Sequence, residues 1–314
     1  MTKIDYKAQG GRNVLSLFDG ISCGRIALER AGIEYQNYYA SEIDKYAIQI
    51  SQSNFPDTIQ LGDVKNWKEW DLPHIDLLMG GSPCQGFSIS GKKLNFDDPR
   101  SKLFFVFVDI LREYEPTYFL FENVGSMNSE VKDKISEMFG VQPLHINSSL
   151  VSAQHRNRYY WTNIPQGKIE PKEINFKDIL ETGVERKHYY SDRVLKRLDL
   201  TEIKRAGKAG YKAKGIEVSK CSPIVARHYK GMQSQHFPVI KEIDGFRKIT
   251  PIECERLQTL PDNYSQMVSD SQRYKAIGNG WTVDVIAHIL SKLTKEDVNS
   301  PVITYRFVSL REWI

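Results

Sequence analysis

The 314-residue sequence contains only four cysteines, Cys23, Cys84, Cys221 and Cys254, and they form no CxxC pair. Scattered cysteines of this kind predict neither a disulfide framework nor a zinc site, so we expect no bound metal and a reducing, cytoplasmic location. The sequence also lacks the run of about 18 apolar residues that a membrane helix needs. Its first residues contain no apolar stretch typical of a signal peptide. Membrane and secreted proteins are therefore not expected.

Strong net charge is also absent, because the formal charge is only +4. The charge is unevenly distributed, however. Residues 166–246 carry 17 Lys and Arg against 11 Asp and Glu, whereas the remainder carries 26 against 28. A basic segment within a weakly acidic chain is typical of a solvated surface or of a patch that faces phosphates, and charge alone does not decide between them.

Apolar runs alternate with helical patterns over the first 125 residues. Strands are predicted at 13–18, 38–42, 75–81 and 118–122, and helices at 24–32, 45–54 and 103–114. This alternation predicts an α/β fold, a parallel sheet with helices on both faces. The pattern weakens after residue 161 and returns at 249–260 and at 274–290, where a helical stripe is predicted, while 302–308 alternates like a strand.

Ligands of such sheets bind at the carboxyl ends of the strands. The first strand ends in Phe18-Asp19-Gly20, a turn that lets a ligand approach the backbone. Glu42, after the second strand, is placed to accept hydrogen bonds from ribose hydroxyls, and Asp63 could accept from an adenine amino group. Each of these features alone is equally typical of a tight turn or a solvated acid.

A stronger signal follows the third predicted strand, in the stretch GGSPCQGFSISG at 80–91. A single cysteine usually packs as a small apolar residue. Cys84 instead follows a strand and a proline in a loop rich in glycine and serine, at the edge where ligands bind. This setting favours a reactive cysteine over a core cysteine.

Six blocks in order resemble the cytosine-5 DNA methyltransferase family. The blocks are residues 13–32, Pro83-Cys84-Gln85, Glu122-Asn123-Val124, 154–158, 247–258 and 276–280. The resemblance covers 13–165 and 247–292. It implies a Rossmann-like, S-adenosylmethionine-dependent methyltransferase sheet with helices on both faces, plus a smaller, irregular target-recognition domain. The implied domains are a catalytic and cofactor-binding domain at 1–165, target recognition at 166–246, a return to the catalytic domain at 247–295 and a C-terminal extension at 296–314.

Some residues depart from the bacterial pattern of the family. Ser22 stands where a glycine is usual, and the glycine comes two residues later at Gly24. The first block and the stretch 151–161 are locally similar to the eukaryotic de novo DNA methyltransferases. The intact Pro-Cys-Gln and Gly-Asn-Gly blocks still favour an enzyme of the bacterial or phage type, and therefore the cytoplasm of a bacterial or phage-infected cell.

The resemblance assigns the chemistry to four residues. Cys84 is the nucleophile that adds to C6 of cytosine and makes C5 reactive. Glu122 is the carboxylic acid that donates a proton at the N3 edge. Arg158 holds the ring O2, and Arg156 helps to position the ring or a phosphate. Because C5 is buried in a stacked duplex, the cytosine must be flipped out.

Binding residues also follow from the resemblance. The implied cofactor pocket comprises Phe18, Gly20, Glu42, Ile43, Asp63, Pro83, Leu103 and Asn279. The implied contacts with double-stranded DNA are Gln85, Ser88 and Arg100 near a closing loop, and Lys204, Arg205, Lys208, Lys212, Lys214 and Arg227 in the basic segment. We expect a monomer, and a cognate restriction endonuclease of the same system is the further partner that the resemblance allows.

Three alternatives remain open from the residues. A tRNA cytosine-5 methyltransferase would use the same scaffold, but the insert of about 80 residues and the Pro-Cys-Gln block favour DNA. A catalytically inactive DNA-binding regulator is disfavoured by the intact Cys84, Glu122 and Arg158. A nicotinamide-dependent dehydrogenase is disfavoured because no GxGxxG motif is present.

Overall fold

The computed structural model describes residues 12–83, 102–197, 219–226 and 239–293. They fall into two compact units, one within 1–146, 157–167 and 287–314 and the other within 147–156 and 168–286. The strand predicted at 302–308 lies outside the described residues. None of the described helices is long and apolar enough to cross a membrane.

The described residues form a seven-stranded sheet in the order β3-β2-β1-β4-β5-β7-β6. Its strands are β1 (Asn13–Leu17), β2 (Asn37–Ser41), β3 (Ile59–Gln60), β4 (Leu77–Gly80), β5 (Tyr118–Val124), β6 (Leu144–Asn147) and β7 (Asn157–Thr162). The pairs among β1 to β5 are parallel, as predicted, but β7 runs antiparallel to β5. No strand was predicted from the sequence at β7, and its direction could not have been, because the side-chain pattern of a strand does not encode its direction.

The helices predicted at 24–32, 45–54 and 103–114 begin and end close to the predicted residues, whereas no helix was predicted at 129–139. The described α-helices are α1 (Cys23–Ala31), α2 (Lys45–Asn54), α3 (Lys102–Tyr114), α4 (Ser129–Phe139), α5 (Asp192–Arg197), α6 (Pro251–Leu257), α7 (Asp270–Asn279) and α8 (Val283–Leu290). Gly32 ends α1 in the left-handed conformation, which glycine adopts without strain. The stripe expected at 274–290 divides between α7 and α8, because residues 280–282 interrupt the helix.

Both faces of the central strands are covered. Every residue of β1 and of β4 is buried, which is typical of a parallel strand packed on both sides. On one face, aromatic side chains of α3 and α4 pack against β5. Phe107 lies 4.8 Å and Phe104 lies 5.5 Å, ring to ring, from Phe121. This packing fixes β5, whose end carries Glu122.

The second unit contains a hairpin of β8 (Val239–Glu242) and β9 (Gly245–Lys248), followed by α6. Thr250 caps α6: its hydroxyl accepts from Glu253 N at 3.1 Å, and the Glu253 carboxylate accepts from Thr250 N at 2.9 Å. That carboxylate also pairs with Arg247 at 2.8 Å, and both side chains are fully buried. A buried pair keeps its charges only when hydrogen bonds satisfy them, as they do here.

Candidate functional site

Strand register aligns four candidate positions along one edge of the sheet. Leu17 pairs with Ser41 on one side and with Gly80 on the other, and Gly80 pairs with Phe121. The next residue of each strand therefore belongs to one row: Phe18, Glu42, Gly81 and Glu122. Since neighbouring strands lie about 4.8 Å apart, roughly 14 Å separates the backbones at Glu42 and Glu122. The predicted cofactor end and the predicted catalytic end share this edge.

The turn after β1 has an unusual backbone. Phe18, Gly20 and Ser22 all have positive φ angles, of 57°, 61° and 58°. Only glycine adopts this conformation without cost, and strained residues of this kind cluster at ligand-binding sites. Gly20 N donates to the Glu42 carboxylate at 2.9 Å, which joins the turn to the end of β2.

Glu42 lies at the centre of a set of backbone donors. Besides Gly20, Ile43 N and Asp44 N donate to its other carboxylate oxygen at 2.7 and 2.8 Å. An ionised carboxylate has about four acceptor sites, so these three bonds leave capacity for a ribose hydroxyl. The Ile43 side chain beside it is 73% exposed. An apolar side chain exposed next to a polar anchor suits one face of a planar base.

Asp63 and Leu103 have local roles of their own. The Asp63 carboxylate accepts from Lys65 N at 3.0 Å and caps the 3₁₀ turn Val64–Glu69. The Leu103 side chain is half-buried against the core beneath α3. These contacts are ordinary for a cap and for a core residue, so the cofactor roles of both remain predictions.

The segment after β4 is anchored on both sides. Gly80 is required because a Cβ there would lie 2.9 Å from the Leu17 carbonyl oxygen. Asn123, which is buried, donates from Nδ2 to the Ser82 carbonyl oxygen at 3.4 Å. The Ser82 hydroxyl is buried and has no hydrogen-bond partner within the described part of the chain, while Pro83 is exposed. Cys84, Gln85, Ser88 and Arg100 lie outside the described residues.

Glu122 and Arg158 form an ion pair. Glu122 pairs in the sheet with Tyr160, and Val124 with Arg158, so the two side chains occupy diagonal positions on the same face. Arg158 Nε lies 2.6 Å from Glu122 Oε1, with the side chains 17% and 12% exposed. Gly125 permits this close pairing, because a Cβ there would lie 2.9 Å from Asn157 atoms.

Arg156, two residues earlier, is a buried guanidinium in the second unit. Its Nη1 donates to the Ile224 carbonyl at 2.8 Å, and its Nη2 donates to the carbonyls of Gly280 at 2.9 Å and Gly278 at 3.4 Å. The side chain is 4% exposed. The Arg156 guanidinium thus donates to backbone carbonyls and does not face solvent. The catalytic role expected for Arg156 remains a prediction.

Buried amides join the same blocks of sequence. Gln154 Nε2 donates to Gln258 Oε1 at 3.0 Å, and Gln258 Nε2 donates to the Gly280 carbonyl at 2.8 Å. The stretches 154–156, 247–258 and 276–280, which are far apart in sequence, therefore meet in the second unit. Asn279 is exposed at the end of α7, between the two glycines whose carbonyls Arg156 binds.

Gly278 is fixed by close packing, which makes a testable prediction. A Cβ at this position would lie 2.3 Å from the Val225 carbonyl carbon and 2.4 Å from Ala226 N. We expect Gly278→Ala to lower the free energy of unfolding by about 1–3 kcal/mol, as overpacking does. Urea denaturation measures this change. The control Ser271→Ala, exposed on the same helix, should stay within about 0.5 kcal/mol of wild type; equal stability of all three proteins would contradict the packing.

The first unit contains most of the predicted site residues that the structure describes: Phe18, Gly20, Glu42, Ile43, Asp63, Pro83, Leu103, Glu122 and Arg158. Arg156 and Asn279 belong to the second unit. The predicted DNA contacts Lys204, Arg205, Lys208, Lys212, Lys214 and Arg227 lie outside the described residues. No role was predicted for Asn123 from the sequence, although its position next to Glu122 was a usable signal.

Comparisons with known proteins identify a family. Residues 12–295 match the model of the C-5 cytosine-specific DNA methylase family. The type II methyltransferase M1.ScrFI of Lactococcus lactis subsp. cremoris is 33% identical over 304 residues, which cover 89% of this chain and 77% of the relative. The type II methyltransferase M.NlaX of Neisseria lactamica is 31% identical over 300 residues, covering 89% of this chain and 95% of the relative.

A solved structure supports the fold. The S. pombe Dnmt2 methyltransferase superposes with a TM-score of 0.68 at 19% identity, covering 92% of this chain and 99% of that one. At this identity the likeness concerns the fold alone. It agrees with the α/β sheet predicted from the alternation of strands and helices.

Proposed function

The chain belongs to the C-5 cytosine-specific DNA methylase family, and on that premise we propose that it methylates C5 of a flipped-out cytosine within a specific sequence of double-stranded DNA. The observation that supports this most directly is the ion pair of Glu122 and Arg158 at 2.6 Å. It lies at the carboxyl end of β5, beside the anchored Ser82–Pro83 segment that leads to Cys84. An acid, a cation and a thiol are the three groups that the reaction needs near one ring.

Cys84 is assigned the covalent step. Its thiolate bonds to C6, and the electrons of the C5–C6 double bond move toward the N3 and O2 edge of the ring. Glu122 delivers a proton at N3, so the adduct carries no net ring charge, and Arg158 donates a hydrogen bond to O2. C5 then bonds to the methyl group of a sulfonium donor, whose sulfur keeps the electrons of the broken bond and leaves as a thioether. Water takes the C5 proton, N3 returns its proton to Glu122, and the C5–C6 double bond forms again as Cys84 leaves as a thiolate.

S-adenosylmethionine supplies the methyl group. The features of the first unit fit this cofactor: the left-handed turn at Phe18–Gly20 admits close approach, Glu42 retains acceptor capacity, and Ile43 exposes an apolar face. We assign to it seven residues of the first unit: Phe18, Gly20, Glu42, Ile43, Asp63, Pro83 and Leu103. The role that the resemblance implies for Asn279 remains a prediction. The buried Ser82 hydroxyl, for which the described residues offer no hydrogen-bond partner, lies at the same edge of the sheet.

The basic segment is proposed to recognise the target DNA. Lysines and arginines bind phosphates and fix the register, while loop residues read the edges of bases in the grooves. The 17 basic residues of 166–246 suit this division of roles. Within it, Lys204, Arg205, Lys208, Lys212, Lys214 and Arg227 are the proposed contacts.

Charge removal in this segment gives a second prediction. Replacing Lys204, Arg205, Lys208, Lys212 and Lys214 with glutamine should weaken DNA binding, because each lost phosphate contact removes about 0.9 from the slope of log K against log salt. Fluorescence anisotropy with duplex DNA from 50 to 200 mM salt, roughly the range in which such contacts dominate, measures that slope. The control replaces Lys132 and Lys134 of α4 and should keep it. An unchanged slope in the first variant would remove these residues from the interface.

A direct assay tests the proposed function. The protein is incubated with methyl-labelled S-adenosylmethionine and either duplex DNA or tRNA, and the DNA is sequenced after bisulfite treatment. We expect label in DNA and protected cytosines at one sequence motif. Label in tRNA alone would favour the RNA enzyme, and no label in either, with no covalent trapping on 5-fluorocytosine DNA, would favour an inactive regulator.

A further inference from the structure

Ser22 has a backbone conformation that favours glycine. Its φ and ψ are 58° and 38°, and it stands directly before α1. A serine at this position usually caps the helix through its hydroxyl, but Ser22 makes no side-chain cap bond. The hydroxyl must therefore have another use that offsets the unfavourable backbone.

That use is a buried chain of hydrogen bonds. The Ser22 hydroxyl donates to Asp19 Oδ2 at 2.6 Å, and the Ser51 hydroxyl lies 2.6 Å from it. Since Ser22 has a single hydroxyl hydrogen, Ser51 is the donor in the second bond. The Tyr38 hydroxyl donates to the other Asp19 oxygen at 2.7 Å. Burial raises the pKa of Asp19, and the bonds from Ser22 and Tyr38 oppose that rise.

This chain of bonds bears on the cofactor turn. Asp19 and Ser22 flank Gly20, and Ser22 N donates to the Asp19 carbonyl at 3.2 Å, which closes the turn. Asp19 N also donates to the Ser41 carbonyl at 3.1 Å, one residue before Glu42. Gly20 N in turn donates to the Glu42 carboxylate. Side chains of the turn itself, of α2 and of β2 thus converge on the backbone that presents Gly20 and Glu42.

We propose that Asp19, Ser22 and Ser51 are positioning residues for S-adenosylmethionine: their hydrogen bonds hold the left-handed turn at 18–22 so that Gly20 and Glu42 meet the cofactor. The inference rests on the proposed cofactor and goes beyond it. It assigns a hydrogen-bonding role to the Ser22 side chain, at the position where the family pattern has glycine. The three residues need not touch the ligand.

Two substitutions of Ser22 separate the backbone from the side chain. Glycine accepts the φ of 58° but lacks the hydroxyl, whereas alanine lacks the hydroxyl and keeps the strain. We expect both Ser22→Gly and Ser22→Ala to raise the Kd of S-adenosylhomocysteine about tenfold, the size of one lost hydrogen bond to a charged group. Ser22→Gly should unfold at a higher temperature than Ser22→Ala.

Isothermal titration with S-adenosylhomocysteine gives Kd, and steady-state assays should show a raised KM for S-adenosylmethionine with little change in kcat. Ser51→Ala should act in the same direction, and its effect should not add to that of Ser22→Ala, because the bonds form one chain. Ser136 is the matched control: it is buried in α4, its hydroxyl donates to the Lys132 carbonyl at 2.8 Å and it accepts from Trp161 Nε1 at 3.0 Å. Ser136→Ala should lower the melting temperature and leave Kd unchanged.

The outcomes distinguish this inference from the proposed function. A wild-type Kd in both Ser22 variants, with wild-type protein that binds the ligand, would overturn the positioning role and leave the cofactor assignment intact. An equal loss of affinity in Ser136→Ala would show that lower stability of the fold explains the change in Kd, and would also overturn the positioning role. Wild-type protein that binds neither S-adenosylmethionine nor S-adenosylhomocysteine would overturn the cofactor assignment together with the inference.

Discussion

Cys84→Ser is expected to abolish methyl transfer while cofactor affinity stays near the wild-type value. A serine hydroxyl is not ionised near neutral pH and has no neighbouring base assigned to it, so the addition to C6 fails. The cofactor contacts proposed here do not involve the sulfur. Transfer of labelled methyl groups to duplex DNA measures turnover, and isothermal titration measures cofactor affinity.

Two other cysteines provide matched controls. Cys221 and Cys254 are buried, and burial raises the pKa of both thiols well above the ordinary value, so they stay protonated and unreactive. Cys221→Ser and Cys254→Ser should therefore keep turnover in folded protein. Near-normal methylation by Cys84→Ser, or loss of covalent trapping on 5-fluorocytosine DNA only when Cys221 or Cys254 is replaced, would refute the assignment of the nucleophile.

Glu122→Gln should lower kcat by about 10²–10⁴-fold, the usual contribution of a positioned general acid. Glutamine keeps the size of the side chain, but it cannot deliver the proton to N3 and it cannot form an ion pair with Arg158. The loss should appear in kcat, while the Kd of S-adenosylhomocysteine should not move. Single-turnover methylation with saturating DNA separates the chemical step from product release.

A substitution of Arg158, the ion-pair partner of Glu122, provides a second test of the proposed chemistry. Arg158→Lys keeps a positive charge near Glu122 but loses the planar donor set that reaches O2, so it should also lower kcat. Glu137→Gln, on the exposed face of α4, changes charge by the same amount and should leave kcat unaltered. Wild-type kcat in Glu122→Gln would show that N3 receives its proton from another source.

The sequence predicts well where the central strands end, for a physical reason. Strand ends and apolar runs are local features, and parallel pairing brings such ends to one edge. Glu42 and Glu122, 80 residues apart in the chain, are thereby placed on the same edge from pattern alone, and the structure aligns them. Helix bounds such as those of α2 also follow from local capping by Asp44.

Contacts between residues that are distant in the chain could not be predicted from the sequence. The ion pair of Glu122 with Arg158 depends on the antiparallel register of β5 and β7, which no local pattern specifies. The contacts of Arg156 were likewise not predictable from its sequence block. Its block predicted a functional arginine, but only the folded chain reveals that three backbone carbonyls occupy its guanidinium.

Ser22, which stands where the family usually has glycine, has a structural role that the sequence does not reveal. The sequence indicated a missing glycine but gave no reason for it. The structure supplies two facts that the sequence could not. The backbone of Ser22 is in the left-handed conformation, and its buried hydroxyl forms hydrogen bonds with Asp19 and Ser51. Ser51 lies 29 positions away, on another helix, so no local signal connects the two.

The pairing of β5 with β7 has a consequence for how this enzyme can vary. Side chains alternate across a strand, so one residue deleted between Tyr118 and Glu122 would turn the acid to the opposite side of the sheet from Arg158. The loop at 140–143 between α4 and β6, by contrast, can lengthen without changing the pairing of β5 with β7. Insertions of whole codons are therefore expected to be tolerated in that loop, whereas the loss of one codon between Tyr118 and Glu122 is expected to abolish activity.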